Sequence, residues 1–80
     1  MSSNQADTRE DQDYMNRLMN ENEAAEFLSY SVRALQNWRV RGGGPLYVKV
    51  SARSIRYRRR DLIAWTEGRL TANTSAHAYS

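Results

Sequence analysis

The sequence predicts a mainly α-helical domain with one small β-hairpin, in the order helix, helix, strand, strand, helix, over residues 18–70. Two segments with apolar residues at helical spacing are separated by only two residues, so the two helices must cross at a steep angle. A Gly-Gly-Gly-Pro segment at residues 42–45 ends the second helix. Two short alternating runs, residues 46–50 and 55–58, then predict the hairpin.

The segments on either side of this domain have compositions typical of flexible tails. Residues 1–13 contain only two apolar residues, too few to offset the entropy lost on ordering. From Tyr14 the chain becomes more apolar, and its composition permits either a short helical turn or an extended lead-in. We therefore expect a flexible acidic tail over residues 1–17 and a flexible C-terminal tail over residues 71–80.

The first predicted helix begins after Asn20, whose side chain can accept a hydrogen bond from an early backbone N–H. Glu23 follows three residues later, as in a capping box, and Met19 precedes the cap as a hydrophobic staple. The helix should extend to about Leu28. The residues expected to face the core are Ala24, Ala25, Phe27 and Leu28.

The second predicted helix covers residues 31–40 and begins at Ser31, a favourable N-cap residue. Val32, Leu35 and Trp38 recur at every third position and predict its buried face. Glycine then supplies a left-handed residue that closes the helix, and Pro45 prevents its continuation. The opposite face carries Arg33, Gln36 and Asn37, with Arg39 and Arg41 beside them.

The alternating runs place a polar break, residues 51–54, between two strands. The residues expected to pack inward are Val48, Val50, Ile55 and Tyr57, and those expected to point outward are Lys49, Arg53, Arg56 and Arg58. The last helix should begin near Arg59, with Asp61 in its first turn, where a carboxylate suits the positive end of the helix dipole. Leu62 and Trp65 should lie on its buried side, and Ile63 can join them.

The net charge of +3 hides a division along the chain. Residues 1–30 contain two basic and seven acidic residues, a net charge of −5, whereas residues 31–80 contain ten basic and two acidic residues, a net charge of +8. An excess this large predicts a polyanionic partner. The basic residues are distributed over three elements, unlike the single basic amphipathic helix of a membrane-surface binder. Nucleic acid is therefore the favoured partner.

Composition also limits the chemistry of the protein. The chain has no cysteine, and its one histidine, His77, lies in the predicted C-terminal tail. Carboxylates do not cluster in the predicted core, so we expect no catalytic residue, no metal and no cofactor. No segment approaches the roughly eighteen apolar residues of a membrane span, so we expect a cytoplasmic protein without a membrane partner.

A ten-residue helix at residues 31–40 would be about 15 Å long, a rod that the major groove of B-DNA, about 12 Å wide, can admit. For this segment alone, an ordinary amphipathic helix with a solvated polar face explains the pattern better. The capped helix before it, the Gly-Pro stop after it and the arginine-rich hairpin favour a recognition helix. The whole arrangement is a winged helix-turn-helix (α-α-β-β-α), in which the hairpin is the wing.

Arginine can bond guanine bidentately, and asparagine or glutamine can bond adenine. We expect Arg33 and Asn37 to contact bases, although more than half of protein–DNA hydrogen bonds go to phosphate and sugar. Ser31 is expected mainly to cap the helix, and its hydroxyl can also meet a phosphate. The residues of this helix expected at the DNA are Ser31, Arg33, Ala34, Gln36, Asn37 and Arg41.

The wing carries four cations, with no acidic residue between residues 46 and 60. A charged rim that only keeps a hairpin soluble is the alternative, and the absence of acids makes DNA contact the better explanation. Arg53, at the tip, is the best candidate for insertion into a narrow minor groove. The wing residues expected at the DNA are Lys49, Arg53, Ser54, Arg56 and Arg58.

Residues 19–65 resemble the small MerR-like winged-helix domains of phage and mobile-element excisionases and of AlpA-type regulators. The resemblance is carried by residues 23–28, by Ser31 with Leu35 and Trp38, by residues 44–49 and by residues 55–65. Two departures are visible. Ser29 and Tyr30 stand where the family often has a glycine and a small aliphatic residue, and residues 51–54 lack the usual glycine.

The resemblance implies that the second helix enters the major groove while the wing lies over adjacent backbone or minor groove. It implies an excisionase-type recombination directionality factor, encoded by a bacterium or phage. Such a factor binds repeated sites beside an attachment site, bends the DNA and helps an integrase of the tyrosine recombinase class in excision. The alternatives are an AlpA-like transcriptional regulator of integrase or transfer genes and a protein-interaction module that does not bind DNA.

One recognition helix and one wing cover little DNA, so useful affinity implies several copies bound cooperatively. The charge division suggests how neighbouring copies would meet. The acidic residues 1–30 of one copy would contact the basic surface of the next, a head-to-tail self-association on the DNA.

Overall fold

A computed structural model describes residues 2–71, with side chains from Arg9 onward. Its elements in chain order are α1 (Ser2–Asn16), β1 (Leu18–Met19), α2 (Glu21–Leu28), α3 (Val32–Arg41), β2 (Val48–Ser51), β3 (Ser54–Arg58) and α4 (Arg59–Glu67). From α2 to α4 this is the predicted order, and the winged helix-turn-helix fold is confirmed. No helix within residues 2–71 combines the length and apolar composition needed to cross a bilayer.

Both predicted helix caps are present. The Glu23 N–H donates to Asn20 Oδ1 at 2.8 Å and the Asn20 N–H donates to Glu23 Oε1 at 2.9 Å, which completes the capping box of α2. The Ala34 N–H donates to Ser31 Oγ at 3.1 Å and caps α3. Each cap satisfies backbone donors that a helix leaves without a partner, so the starts of α2 and α3 are fixed locally.

The turn between α2 and α3 depends on Ser29, which has left-handed backbone angles of φ 61° and ψ 38°. The Ser29 N–H donates to the Glu26 carbonyl at 3.1 Å and the Tyr30 N–H donates to the Ala25 carbonyl at 2.8 Å, the bonds of a Schellman motif. A side chain makes this conformation unfavourable, and glycine is the usual residue here. Ser29 adopts the glycine conformation, so the departure from the family pattern leaves the turn intact.

A third strand, β1, extends the hairpin into a sheet with the order β1-β3-β2. Leu18 pairs with Arg58 and Met19 pairs with Tyr57, both antiparallel. The Arg59 N–H donates to the Arg17 carbonyl at 3.0 Å and continues this pairing by one residue. The composition of residues 14–18 permits either a helical turn or an extended lead-in, and both conformations occur. Residues 14–16 are helical and Leu18 is extended.

The register of the wing differs from the predicted alternation. Val48 lies opposite Arg56 and Lys49 lies opposite Ile55. Residues directly opposite in an antiparallel pair share a face, so Lys49 lies on the Ile55 side of the sheet and Val48 on the Arg56 side. The predicted inward position of Val48 and Val50 is wrong, since they are 36% and 62% exposed.

A register shift between Lys49 and Ser51 accounts for this difference. It brings Ser51 opposite Ser54 and leaves Ala52 and Arg53 as the turn. A shift of one residue moves every preceding side chain of that strand to the other face. The sequence pattern gave no sign of the shift, because the apolar and polar residues alternate on both sides of it.

The core consists of six buried side chains: Met19, Ala24, Ala25, Leu35, Tyr57 and Leu62. Leu28, Val32, Trp38 and Ile55 pack against it. Trp65 is half-buried, its ring 4.9 Å from that of Trp38, and its indole N–H donates to the Gly43 carbonyl at 2.9 Å.

The predicted core position of Phe27 is wrong. Ala24, Ala25 and Leu28 occupy the inner side of α2, which leaves Phe27 40% exposed.

The structure places residues 2–16 in helix α1, where sequence analysis expected no regular structure over residues 1–13. A helix satisfies its own backbone hydrogen bonds without burying apolar surface, and the last turn of α1 is held by α4. The Arg59 guanidinium lies 3.9 Å from the Tyr14 ring centre and donates to the Tyr14 carbonyl at 3.3 Å. The predicted flexibility of residues 1–17 stays a prediction, and the C-terminal tail with His77 lies outside the described residues except for Thr71.

Candidate nucleic-acid interface

Helix α3 presents a polar face to solvent. Leu35 is fully buried beneath it, so the side chains on the opposite side of the helix must point away from the core. The predicted contact residues Ser31, Arg33, Gln36, Asn37 and Arg41 are exposed, and Ala34 is half-buried. Within residues 9–71, no hydrogen bond or ion pair engages the side chains of Arg33, Asn37 or Arg41. Their donors and acceptors are therefore available to a ligand.

Val40 belongs to the same face and was not among the predicted contact residues. Its side chain is 86% exposed, the largest exposure of the large apolar residues in the described part of the chain. It lies three residues after Asn37 and seven after Arg33, the spacing that stacks side chains on one helix face. This spacing could have identified it from sequence. An apolar side chain here can contact the methyl group of thymine.

Arg39 lies on the inner side of α3, although sequence analysis placed it beside the polar face. Its Nη1 donates to the Tyr57 hydroxyl at 2.6 Å and its Nη2 donates to Glu21 Oε1 at 3.1 Å. The Arg39 side chain is 19% exposed and that of Glu21 is 31% exposed. Arg39 thus joins α2, α3 and β3 and fixes the position of α3.

Burial and the contacts between Arg39, Tyr57 and Glu21 shift the pKa values of Arg39 and Tyr57. Burial lowers the pKa of Arg39, but its hydrogen bonds to Tyr57 and Glu21 outweigh burial, and the pKa lies above its usual value. Burial raises the pKa of the Tyr57 hydroxyl, and the Arg39 guanidinium offsets only part of that rise. At neutral pH, Arg39 is charged and Tyr57 is protonated, and the hydroxyl oxygen accepts the bond from the guanidinium.

Glu21 also contacts a predicted DNA-binding residue. The Gln36 side-chain amide donates from Nε2 to Glu21 Oε2 at 3.3 Å. One carboxylate therefore accepts from Arg39 on one oxygen and from Gln36 on the other. Glu21 could not be identified from the sequence. Its only local signal is an acidic residue in the first turn of α2, a position that the helix dipole alone explains.

The wing brings four of its five predicted residues to one end of the hairpin. Arg53 lies in the two-residue turn, Ser54 follows it, and Lys49 and Arg56 lie on the two strands. Lys49 and Arg53 are exposed, whereas Ser54 and Arg56 are half-buried. Arg56 Nη1 donates to the Ile55 carbonyl at 2.8 Å, which leaves further donors of its guanidinium for a ligand.

Arg58 lies apart from the wing tip. Its Nε donates to Asp61 Oδ2 at 2.8 Å and its Nη2 donates to Asp61 Oδ1 at 3.1 Å. The carboxylate of Asp61 raises the pKa of Arg58 above its usual value. This bidentate pair joins the end of β3 to the first turn of α4, so Arg58 has a structural role that its position on the predicted wing did not indicate.

A cleft of about 330 Å³ separates the start of α2 from the wing. It is lined by Asn20, Glu21, Asn22, Arg39, Ala52, Arg53, Ile55 and Arg56. Three arginines and one carboxylate give the lining a net positive charge, and that carboxylate is already bonded to Arg39 and Gln36. The cleft thus lies between α3 and the wing tip and is lined by positive charge along that path.

Among the described residues, no group of three or more histidine, cysteine, aspartate or glutamate side chains lies close enough to hold a metal ion. The surface formed by α3 and the β2–β3 hairpin presents guanidinium and amide groups that can form hydrogen bonds. A family model described as a helix-turn-helix domain matches residues 18–70 of the chain. The match spans every element from β1 to α4. A search of curated proteins found no match.

Proposed function

The chain belongs to the helix-turn-helix domain family, a DNA-binding family, and from that premise we propose that it recognises a specific double-stranded DNA site. The observation that supports this best is the exposed face of α3. Arg33 and Asn37 extend from a helix whose other side is fixed by Leu35 and Arg39. At ten residues, α3 is about 15 Å long and fits a major groove about 12 Å wide.

In this proposal the wing supplies affinity. Arg53 at the tip enters the minor groove, and Lys49 and Arg56 contact backbone phosphates on either side. The cleft between α2 and the wing lies beside Arg53 and Arg56, so a phosphate between the two grooves would meet positive charge. Each phosphate neutralised releases counterions and adds about 0.9 to the slope of log K against log salt.

We propose an excisionase-type recombination directionality factor as the biological role. It would bind short repeated sites beside an attachment site, bend the DNA and promote excision of a mobile element by an integrase of the tyrosine recombinase class. The resemblance of residues 19–65 to excisionases supports this role. The fold supports an AlpA-like transcriptional regulator of integrase or transfer genes equally well, and the position of the bound sites separates the two roles.

We also propose that copies associate head to tail on the DNA. Helix α1 carries exposed Glu10, Asp11 and Asp13, and residues 1–30 have a net charge of −5 against +8 for the rest of the chain. Opposite charges on the two ends of each copy favour contact between neighbours. Deletion of residues 1–17 should reduce cooperativity on DNA with several sites while leaving binding to a single site. Unchanged cooperativity would contradict the contact.

Footprinting on DNA that flanks the gene, at several salt concentrations, tests the role directly. We expect protection of short repeated sites close to an attachment site, with affinity that falls steeply as salt rises. Protection confined to a promoter would support the regulator instead. Weak retention of all DNA sequences alike would contradict specific recognition and favour a protein-interaction module.

A further inference from the structure

Gln36 differs from its neighbours on the exposed face of α3 because another side chain holds its amide. Its Nε2 lies 3.3 Å from Glu21 Oε2. Within the described residues, the side chains of Arg33 and Asn37 on the same face make no such bond. Gln36 is exposed, so the rest of its amide remains open to a ligand.

The chemistry of Glu21 fixes which end of the amide it holds. An ionised carboxylate has no hydrogen to donate, so only the NH₂ end of Gln36 can face it. A free glutamine can rotate its amide by half a turn and exchange its donor for its acceptor. Glu21 prevents this exchange, and the Gln36 carbonyl oxygen faces away from Glu21.

Glu21 is itself held in place. Its other oxygen accepts from Arg39 Nη2 at 3.1 Å, and Arg39 Nη1 donates to the hydroxyl of Tyr57 at 2.6 Å. Tyr57 is fully buried in the core. The orientation of the Gln36 amide is therefore set by a chain of hydrogen bonds that begins at a buried side chain.

We propose that Glu21 is a specificity-determining residue that makes Gln36 present a hydrogen-bond acceptor to the DNA. In the major groove, adenine and cytosine carry an exocyclic amine, whereas guanine and thymine carry a carbonyl oxygen. A fixed acceptor bonds the first pair and opposes the second. The proposal rests on the proposed function, since Gln36 must face a base, and it assigns Glu21 a positioning role without DNA contact.

Selection of binding sites from random double-stranded DNA, read by sequencing, tests the proposal. For the unaltered chain we expect one position at which adenine and cytosine exceed guanine and thymine by about five-fold, as one hydrogen bond allows. Gln36→Ala should abolish that preference at that position alone. Glu21→Ala should reduce it to less than about two-fold, because the amide can then turn and donate to a carbonyl oxygen.

Glu26→Ala is the matched control. Glu26 is an exposed glutamate on the same helix, so its removal changes the net charge equally without a contact to Gln36. It should raise affinity for all sequences and leave the base preferences unchanged. Thermal unfolding checks that each variant is folded, and Gln36→Ala leaves the Glu21–Arg39 pair intact, so the position is identified even if Glu21→Ala is unstable.

The outcomes separate the two proposals. A selected site with no change in any position on Gln36→Ala, or with the same base preferences in Glu21→Ala and Glu26→Ala, would overturn the role of Glu21 while specific DNA recognition stands. A preference for guanine and thymine at the Gln36 position would also overturn it. Selection of no sequence by the unaltered chain would instead contradict the proposed function itself.

Discussion

Helix α3 and the wing strand β2 carry their cations on elements that are packed very differently against the rest of the domain. Helix α3 has a side-chain cap at Ser31, a fully buried residue at Leu35 and an arginine bonded to two other elements. All four residues of strand β2 are exposed, and its pairing with β3 contains a register shift. Base recognition requires donors and acceptors in fixed positions, whereas phosphate attraction tolerates movement. The contrast supports the proposal that α3 supplies specificity and the wing supplies affinity.

Truncation of one apolar residue in each element should show this contrast most strongly. Leu35→Ala removes a fully buried side chain and should lower the free energy of unfolding by about 2–5 kcal/mol. Val50→Ala, on the 62% exposed wing residue, should change it by less than about 0.5 kcal/mol. Urea unfolding measures both. Similar losses in the two variants would show that the wing is packed as tightly as the helix.

Tyr57→Phe tests the arginine that anchors α3. It removes the acceptor of the 2.6 Å bond from Arg39 and should cost about 1.5–3 kcal/mol near pH 7, since the donor is charged. The pKa of Tyr57 is raised above its usual 10.0 by folding, so its contribution is complete below pH 10 and is lost as pH rises further. Unfolding measured from pH 7 to pH 11 should show a steeper alkaline loss for the unaltered chain. Equal slopes in the two proteins would mean that folding does not raise the pKa of the Tyr57 hydroxyl.

Arg33→Ala in α3 and Arg53→Ala in the wing compare the contributions of the two elements to DNA binding. Arg33→Ala should reduce discrimination between bases at one position by about 1–3 kcal/mol. Arg53→Ala should weaken binding to all sequences alike and reduce the salt slope by about 1. Titrations of specific and scrambled DNA at several salt concentrations measure both effects. The division between specificity and affinity would be wrong if both variants behaved alike.

The smallest expected effect concerns the turn that sets the angle between α2 and α3. Ser29→Gly relieves a left-handed backbone at φ 61° and should raise stability by about 0.5–1 kcal/mol, after the greater entropy of glycine in the unfolded chain is counted. Ser51→Gly, in strand β2, is the control and should lower it. Thermal unfolding compares them. A loss of stability in Ser29→Gly would mean that the serine side chain supports the turn.

Sequence reasoning succeeded where the determinants are local. The caps at Asn20 and Ser31 depend on residues three positions away. Gly42 and Gly43 have the positive φ that favours glycine, but Gly42, at φ 91° and ψ 170°, does not adopt the left-handed helical conformation predicted for the end of α3. Sequence patterns did not predict features that depend on how two strands pair. The register shift next to Ser51 depends on how two strands align, and alternation alone fits either face.

The same limit applies to the candidate interface. The exposed positions Arg33 and Asn37 follow from helical spacing, but the roles of Glu21 and Arg39 need three elements brought together. The spacing of α3 placed Arg39 at the margin of the polar face, and only the packing of β3 provides the hydroxyl of Tyr57. Side-chain networks of this kind depend on tertiary structure that no short segment encodes.

The position of β1 has a mechanical consequence. Strand β3 is the middle strand of the sheet, with the wing strand β2 on one side and β1 on the other. Only Arg17 separates α1 from β1. A force applied to α1 would therefore reach the wing through the backbone hydrogen bonds of β1 with β3 and of β3 with β2. A neighbouring copy that pulls on α1 and a duplex that pulls on the wing would act on opposite edges of one strand. Any coupling between the binding of a neighbouring copy and the binding of DNA is reciprocal, and β3 would transmit it.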